Sequence, residues 1–336
     1  IKQVLRPPKM YTQIDNIEFD LTSSCNSYCP LCHRYVESNG ELYKNPYVKF
    51  NQHLDLDIIN DIFSSSIVSE KVDVTLVGLV GDPIAHPNFL EIIDVIYKNR
   101  PLARININTN GGLRNTKFFQ QLAKKLNPYS YVQFAIDGLA NTNHIYRISV
   151  DWNKVIENLK AFTFSGGRAY WAFIVFEWNK HQLLHAQELS QELGCEQFIR
   201  IENREDSYNT QRLMNAARTK IHKKQPALDY KKSPMVADGI FTEIQDQCFS
   251  ENKVYVNSDS KVVPCCMINS GLSEASVMQE TQEFVYGNCK DWNNLKSRKF
   301  SEIMNDFWWQ KLRESFKNPC TVCAFSCSTR LGDSPK

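Results

Sequence analysis

No stretch of this 336-residue chain approaches the roughly 20 consecutive apolar residues of a membrane span. Its opening residues, IKQVLRPPKMYTQ, hold no apolar segment of the kind that marks a secretory signal. Charge of one sign is equally scarce. Lys and Arg number 39 against 37 Asp and Glu, a net charge of +2, and nothing in that balance demands a nucleic-acid partner. Internal repeats and low-complexity segments are absent. Neither a membrane nor a nucleic acid is therefore expected as a partner.

What is present is a core-building composition. Hydrophobic residues make up 42% and aromatics 12%, which favours a packed core and argues against global disorder. The length accommodates one large domain and a smaller one. Eleven cysteines are too sparse for a small disulfide scaffold, and their tight grouping reads as metal ligation. So many paired thiols suit a reducing cytoplasm, which is the expected location.

The first two-thirds alternates short β-like runs with helical ones. Candidate strands are Ile17–Thr22, Val72–Val77, Arg104–Asn108, Tyr131–Ile136, Ala169–Phe176 and Gln197–Ile201. Between them, Leu56–Phe63, Phe89–Tyr97, Phe118–Leu126, Val155–Phe164 and Leu183–Leu193 carry apolar residues at helical spacing. This alternation predicts an α/β fold, a partial (β/α)6 TIM-like barrel over residues 1–205. Residues 206–247 read as a basic linker with helical content. From 248 to 336 the chain is cysteine-rich, with a β-hairpin expected at Val254–Val263 and a helical stretch near Phe300–Phe316. Trp308 and Trp309 in that stretch read as packing residues.

Cys25, Cys29 and Cys32 form Cys-x-x-x-Cys-x-x-Cys, written CNSYCPLC, placed by this reading directly after the first strand. Chemistry in such sheets sits at the carboxyl ends of strands. Three thiolates on one loop hold three corners of a cubane iron–sulfur cluster and leave its fourth iron open. A zinc site is the alternative, but zinc knuckles favour paired Cys-x-x-Cys or Cys/His sets with four ligands.

The triplet has company in GLVGDP at Gly78–Pro83, NTNGG at Asn108–Gly112 and AIDG at Ala135–Gly138. Together over residues 15–205 they resemble the radical S-adenosylmethionine (SAM) superfamily. The resemblance implies a [4Fe–4S] cluster on Cys25, Cys29 and Cys32 whose open iron chelates SAM. Reductive cleavage of SAM then yields a 5′-deoxyadenosyl radical that takes a hydrogen atom from the substrate. It further implies Gly81 and Asp82 at the SAM amino group, with Asp82 standing where relatives commonly carry Glu. Asn108, Thr109 and Asn110 would reach the ribose hydroxyls, while Asp137 and Arg147 lie at the next strand end, with Arg147 offered to the SAM carboxylate.

Cys248, Cys265, Cys266, Cys289, Cys320, Cys323 and Cys327 make a second group. Their order is similar to SPASM domains and the shortened "twitch" form, which implies an α+β auxiliary-cluster domain. Cys248, Cys265, Cys320 and Cys323 would hold one auxiliary [4Fe–4S] cluster, with Cys266 the rival of Cys265 and zinc the alternative metal. Cys327 follows Cys323 more closely than the full SPASM pattern requires. Cys195 and Cys289 read as small core residues.

The function implied is a radical SAM enzyme acting on a ribosomally made precursor peptide by cross-linking, epimerisation or fragment excision. A sugar or aminocyclitol dehydrogenase is the second expectation, and a non-catalytic Fe–S or zinc scaffold the third. The roughly 24 residues before Cys25 are too few for a winged peptide-recognition domain, so a separate recognition protein is expected. An electron donor such as flavodoxin or ferredoxin is expected as well. No catalytic acid or base emerges: Glu177, Glu202 and Tyr146 lie near strand ends, where such residues are commonly structural.

Overall fold

The computed structural model describes residues 11–38, 41–202, 221–222, 241–244, 247–272, 278–287, 289, 291–317 and 319–330. Its main sheet contains β1 (Ile14–Phe19), β2 (Val68–Leu76), β3 (Arg104–Thr109), β4 (Tyr131–Ala135), β5 (Ala169–Val175), β6 (Gln197–Glu202), β7 (Lys253–Val256) and β8 (Val262–Val263). The strand order is β8-β7-β1-β2-β3-β4-β5-β6. Strands β1 to β6 are parallel neighbours in chain order, as the alternating pattern requires. The sheet stays open, since β6 and β8 do not pair with each other.

The crossovers are α1 (Leu56–Ser64), α2 (Phe89–Asn99), α3 (Thr116–Lys125), the short α4 (Asn143–Tyr146) with α5 (Trp152–Thr163), and α6 (Leu183–Glu192). Two of them open at a side-chain cap. The Asn115 side chain accepts the Phe118 N–H and starts α3, two residues before the first periodic apolar residue. Lys124 and Lys125 sit favourably at its carboxyl end. Asp151 accepts the N–H groups of Asn153 and Lys154 and opens α5.

Three expectations shift. The first strand starts at Ile14 and ends at Phe19, so residues 20–24 intervene before CNSYCPLC. It ends early because Thr22 bridges instead to His53, away from the sheet. An antiparallel hairpin, Tyr35–Ser38 with Glu41–Lys44, follows the cysteine loop and had not been anticipated. Finally, the helix expected near Phe300–Phe316 is two helices, Phe300–Met304 and Trp308–Ser315. The break is at Asp306, whose carboxylate accepts the Trp308 N–H and pairs with Arg298.

Most of the basic segment 206–247 lies outside the described residues. Within it, Ile221–His222 and Phe241–Ile244 are strands. The expected hairpin at Val254–Val263 forms, and it extends the main sheet. Strand β7 pairs in parallel with β1, matching Asn16 to Lys253 and Glu18 to Tyr255. One continuous apolar cluster runs from Ile17, Phe19 and Val74 to Trp308 and Trp309. Trp308 stacks on Trp292 with centroids 4.5 Å apart, and Trp309 meets Tyr11 edge-on. Both tryptophans are packing residues.

Candidate functional site

The carboxyl ends of β1 to β5 converge on a cavity of about 440 Å³. Its wall includes Cys25, Cys29, Cys32, Gly81, Asp82, Asn108, Thr109, Asn110, Asp137 and Arg147, every residue assigned to the first site from sequence. Residues from four separate loops thus meet in one place.

The cysteine loop is held by its own chain. The Ser27 N–H lies 3.3 Å from Cys25 Sγ, and Ser27 Oγ lies 3.0 Å from Cys29 Sγ. Buried Arg34 donates to the carbonyls of Cys25 and Ser27 from beneath. Tyr28 N–H bonds Ile148 O, anchoring the other side. Cys29 packs with Tyr146 and Phe176 in a small apolar cluster. Burial pushes the Cys25 thiol up to about 12 and the Cys32 thiol to about 11, so neither ionises without a cation to compensate it.

GLVGDP is stitched to the residues after β1. Asp20 Oδ1 accepts the Leu79 N–H at 2.8 Å, and Asp82 N–H donates to Ser24 O. A Cβ on Gly81 would stand 2.0 Å from the Thr22 carbonyl oxygen, and one on Gly78 would stand 1.6 Å from the Gly81 oxygen. Only hydrogen fits at either place. The Asp82 carboxylate accepts from Thr109 Oγ1, the Asn110 N–H and the Ile84 N–H, tying this loop to the end of β3. Its ionisation is pushed up to about 6 by burial, against the pull of those donors. Asp82 is thus already engaged, which leaves the neighbouring backbone carbonyls as the acceptors available to an ammonium.

Arg147 is likewise engaged. Its Nε donates to Asp137 Oδ2 at 2.6 Å, and a terminal nitrogen lies 3.5 Å from Cys29 Sγ. Burial works against this guanidinium, yet Asp137 more than offsets it and raises it further above its ordinary value. Asp137 Oδ1 also accepts the Ile174 N–H, so one carboxylate fixes Arg147 against β5. Asn110 donates to Asn26 Oδ1 at 2.9 Å and reaches towards Cys25 Sγ at 3.6 Å. Asn108 lines the cavity and makes no side-chain hydrogen bond among the described residues.

Sequence reasoning missed Glu18, Asp20, Ser27 and Arg34. The signal was partial: Glu18 and Asp20 alternate with buried Ile17 and Phe19, the mark of a strand with acids on its inward face. Glu177 and Glu202 are exposed and pair with Lys180 and Arg200. Tyr146 is buried at the cavity wall.

The second cysteine group assembles around a niche of about 100 Å³ lined by Cys248, Cys265, Cys266, Cys323 and Cys327 with apolar Pro264, Leu312 and Phe316. Cys265 caps the helix Cys266–Gly271 through the Ile268 N–H, and it faces Cys327. Cys266 turns instead towards Glu18 and lines both cavities. Cys320, Cys323 and Cys327 stand at i, i+3 and i+7 around the helix Thr321–Cys327, one stripe of its surface. The Cys323 thiol donates to Cys320, which holds Cys320 down and Cys323 up. Cys195 packs against the core. Cys289 is exposed, correcting its reading as a core residue, because it sits in a turn at the end of the helix Met278–Tyr286.

No family model and no curated relative matches this chain. Among solved structures it is similar to Streptococcus suis SuiB bound to precursor peptide SuiA, at 12% identity and a TM-score of 0.57. The match covers 94% of this chain and 71% of SuiB. It is also similar to anSMEcpe with bound AdoMet, at 15% identity and a TM-score of 0.53, over 94% of this chain and 85% of that one. The fold of this chain is that of SuiB and anSMEcpe. Both thiol groups are all-sulfur donor sets, the kind that suits iron–sulfur clusters. Zinc held by thiolates needs sulfurs roughly 4 Å apart. Among the described residues no three His, Cys, Asp or Glu side chains close on a single metal ion in that way. Nor is any described helix long and apolar enough to cross a membrane.

Proposed function

We propose that this chain is a radical SAM enzyme with two [4Fe–4S] clusters. Cys25, Cys29 and Cys32 would hold the first, and Cys248, Cys265, Cys320 and Cys323 the second. The observation that carries the reading is the convergence of CNSYCPLC, GLVGDP, NTNGG and Asp137–Arg147 on one cavity at the strand ends. A bound SAM and cluster supply, on one-electron reduction, a 5′-deoxyadenosyl radical that removes hydrogen from a carbon.

The chain's own residues do the positioning. Carbonyls of the loop from Gly78 to Gly81, held in place by Asp20 and Asp82, would receive the SAM ammonium. Arg147, fixed by Asp137, would offer its remaining N–H groups to the SAM carboxylate. Asn108 would offer its amide to the ribose hydroxyls. Tyr146 and Phe176 keep water from the loop.

The substrate we infer is a genetically encoded peptide presented by a separate recognition protein, with flavodoxin or ferredoxin as electron donor and the cytoplasm as location. SuiB, solved with its precursor peptide, supports this reading. A second reading, dehydrogenation of a sugar or aminocyclitol, is favoured by the modest 440 Å³ of the cavity. Anaerobically reconstituted, reduced protein should form 5′-deoxyadenosine from SAM, and Cys29→Ala should form none. Wild type that forms none would sink the enzyme reading. Co-expression with precursor peptides and a recognition protein separates the substrates: an unchanged peptide mass turns the assignment to the small molecule.

A further inference from the structure

Glu18 lies on the inward face of β1, Asp20 directly follows that strand, and the hairpin at Lys253–Val263 runs alongside both. Asn16 registers with Lys253 and Glu18 with Tyr255, so each acid lies diagonally from the β7 residue that pairs two positions before it. Asp20 therefore neighbours Tyr255, and Glu18 neighbours Lys253. Lys253 Nζ stands 2.7 Å from Glu18 Oε1. The other carboxylate oxygen, Oε2, is buried and makes no hydrogen bond.

This ion pair crosses the wall between the two cavities. Glu18 lines the 440 Å³ cavity together with Cys25, Cys29 and Cys32. Lys253 lines the 100 Å³ niche together with Cys248, Cys265 and Cys323. Their side chains are only 18% and 21% exposed, so water and salt screen them weakly.

We propose that the Glu18–Lys253 pair is a charge link between the cavities that sets the reduction potential of a cluster held in the niche. The inference rests on the two-cluster reading above. Adding an electron to a cluster adds negative charge, which a nearby ammonium stabilises and a nearby carboxylate opposes. Lys253 favours the reduced cluster, and Glu18 restrains it from the other cavity. Both are positioning residues, acting through charge on the cluster rather than on substrate.

Dithionite titration of the fully reconstituted chain, followed by electron paramagnetic resonance with iron counting, tests this. Glu18→Gln should move the niche cluster's midpoint potential upward, and Lys253→Met should move it downward. The double variant should return towards wild type, and Lys253→Arg should stay near it. Full iron with unmoved potentials, or shifts of one sign in both single variants, would overturn the link alone. Loss of the niche cluster from Glu18→Gln and Lys253→Arg alike would make the pair structural and overturn it too. A wild-type niche that takes up no iron would overturn the two-cluster reading and the link with it.

Discussion

The two cysteine regions are built in opposite ways. Cys25, Cys29 and Cys32 lie on one eight-residue loop, and donors from Ser27, Asn110 and Arg147 stand around the sulfurs of Cys25 and Cys29. The niche draws its thiols from three separated segments, and the nearest neighbours of Cys323 there are other sulfurs. The first region opens on a cavity of about 440 Å³, whereas the second is a niche of about 100 Å³. The difference teaches that a loop motif presets its ligands locally, with hydrogen bonds ready to offset thiolate charge. A dispersed set depends on the tertiary fold to bring its sulfurs together, and it leaves room for a spare.

The sharpest way to break the comparison is to count that spare. Five thiols line the niche and Cys320, outside the lining, stands beside Cys323, two more thiols than a closed [4Fe–4S] cluster takes. Wild type should bind roughly eight iron per chain, and Cys320→Ala should fall towards roughly four. Cys327→Ala should keep its iron, since it leaves Cys320 and Cys323 in place. Iron loss from Cys327→Ala alone would transfer the ligand role to Cys327. No comparable redundancy exists in the first loop.

A smaller effect tests the donors of that loop. Arg147→Met strips the buried Asp137 carboxylate of its partner, and breaking a buried pair costs about 3–5 kcal/mol. A lowered urea midpoint with an unchanged m-value would confirm it. Arg147→Lys should recover only part, because an ammonium cannot serve Asp137 and Cys29 with a planar fork.

The smallest effect concerns Asp20, which steadies the loop from Gly78 to Gly81. Its ionisation is pushed up to about 7 by burial, against the Leu79 and Val80 N–H groups and Tyr255. The folded chain therefore retains a proton that the unfolded chain releases from its ordinary value of 3.8. Between those two values the unfolded state binds fewer protons, so stability falls as pH rises from about 4 to about 7. Asp20→Asn should flatten this slope in melting temperatures taken across that window. Near pH 7 the variant should lie within about 1–2 kcal/mol of wild type, because Asn keeps one acceptor for the Leu79 N–H. A parallel slope in the variant would show that Asp20 does not carry the titration.

Much of this could be read along the chain. Strand and helix order followed from periodicity, since burial on one face imposes period 2 or 3.6 wherever an element packs. CNSYCPLC and the three strand-end motifs declared themselves because their ligands are neighbours in sequence. The stripe at Cys320, Cys323 and Cys327 was also there to be read, as three-then-four spacing on a helix. The partners of those residues were not legible. Asp82 and Arg147 looked free to serve a cofactor, yet each is bound into its own chain by groups 27 and 10 positions away. Nor did any local pattern show that the hairpin at Lys253–Val263 would join the edge of the barrel sheet and set Lys253 against Glu18, 235 residues earlier. Residue spacing specifies what an element can present. Which charge faces which, across strands distant in sequence, is decided only when the sheet closes its register and the burial of one group depends on the arrival of another.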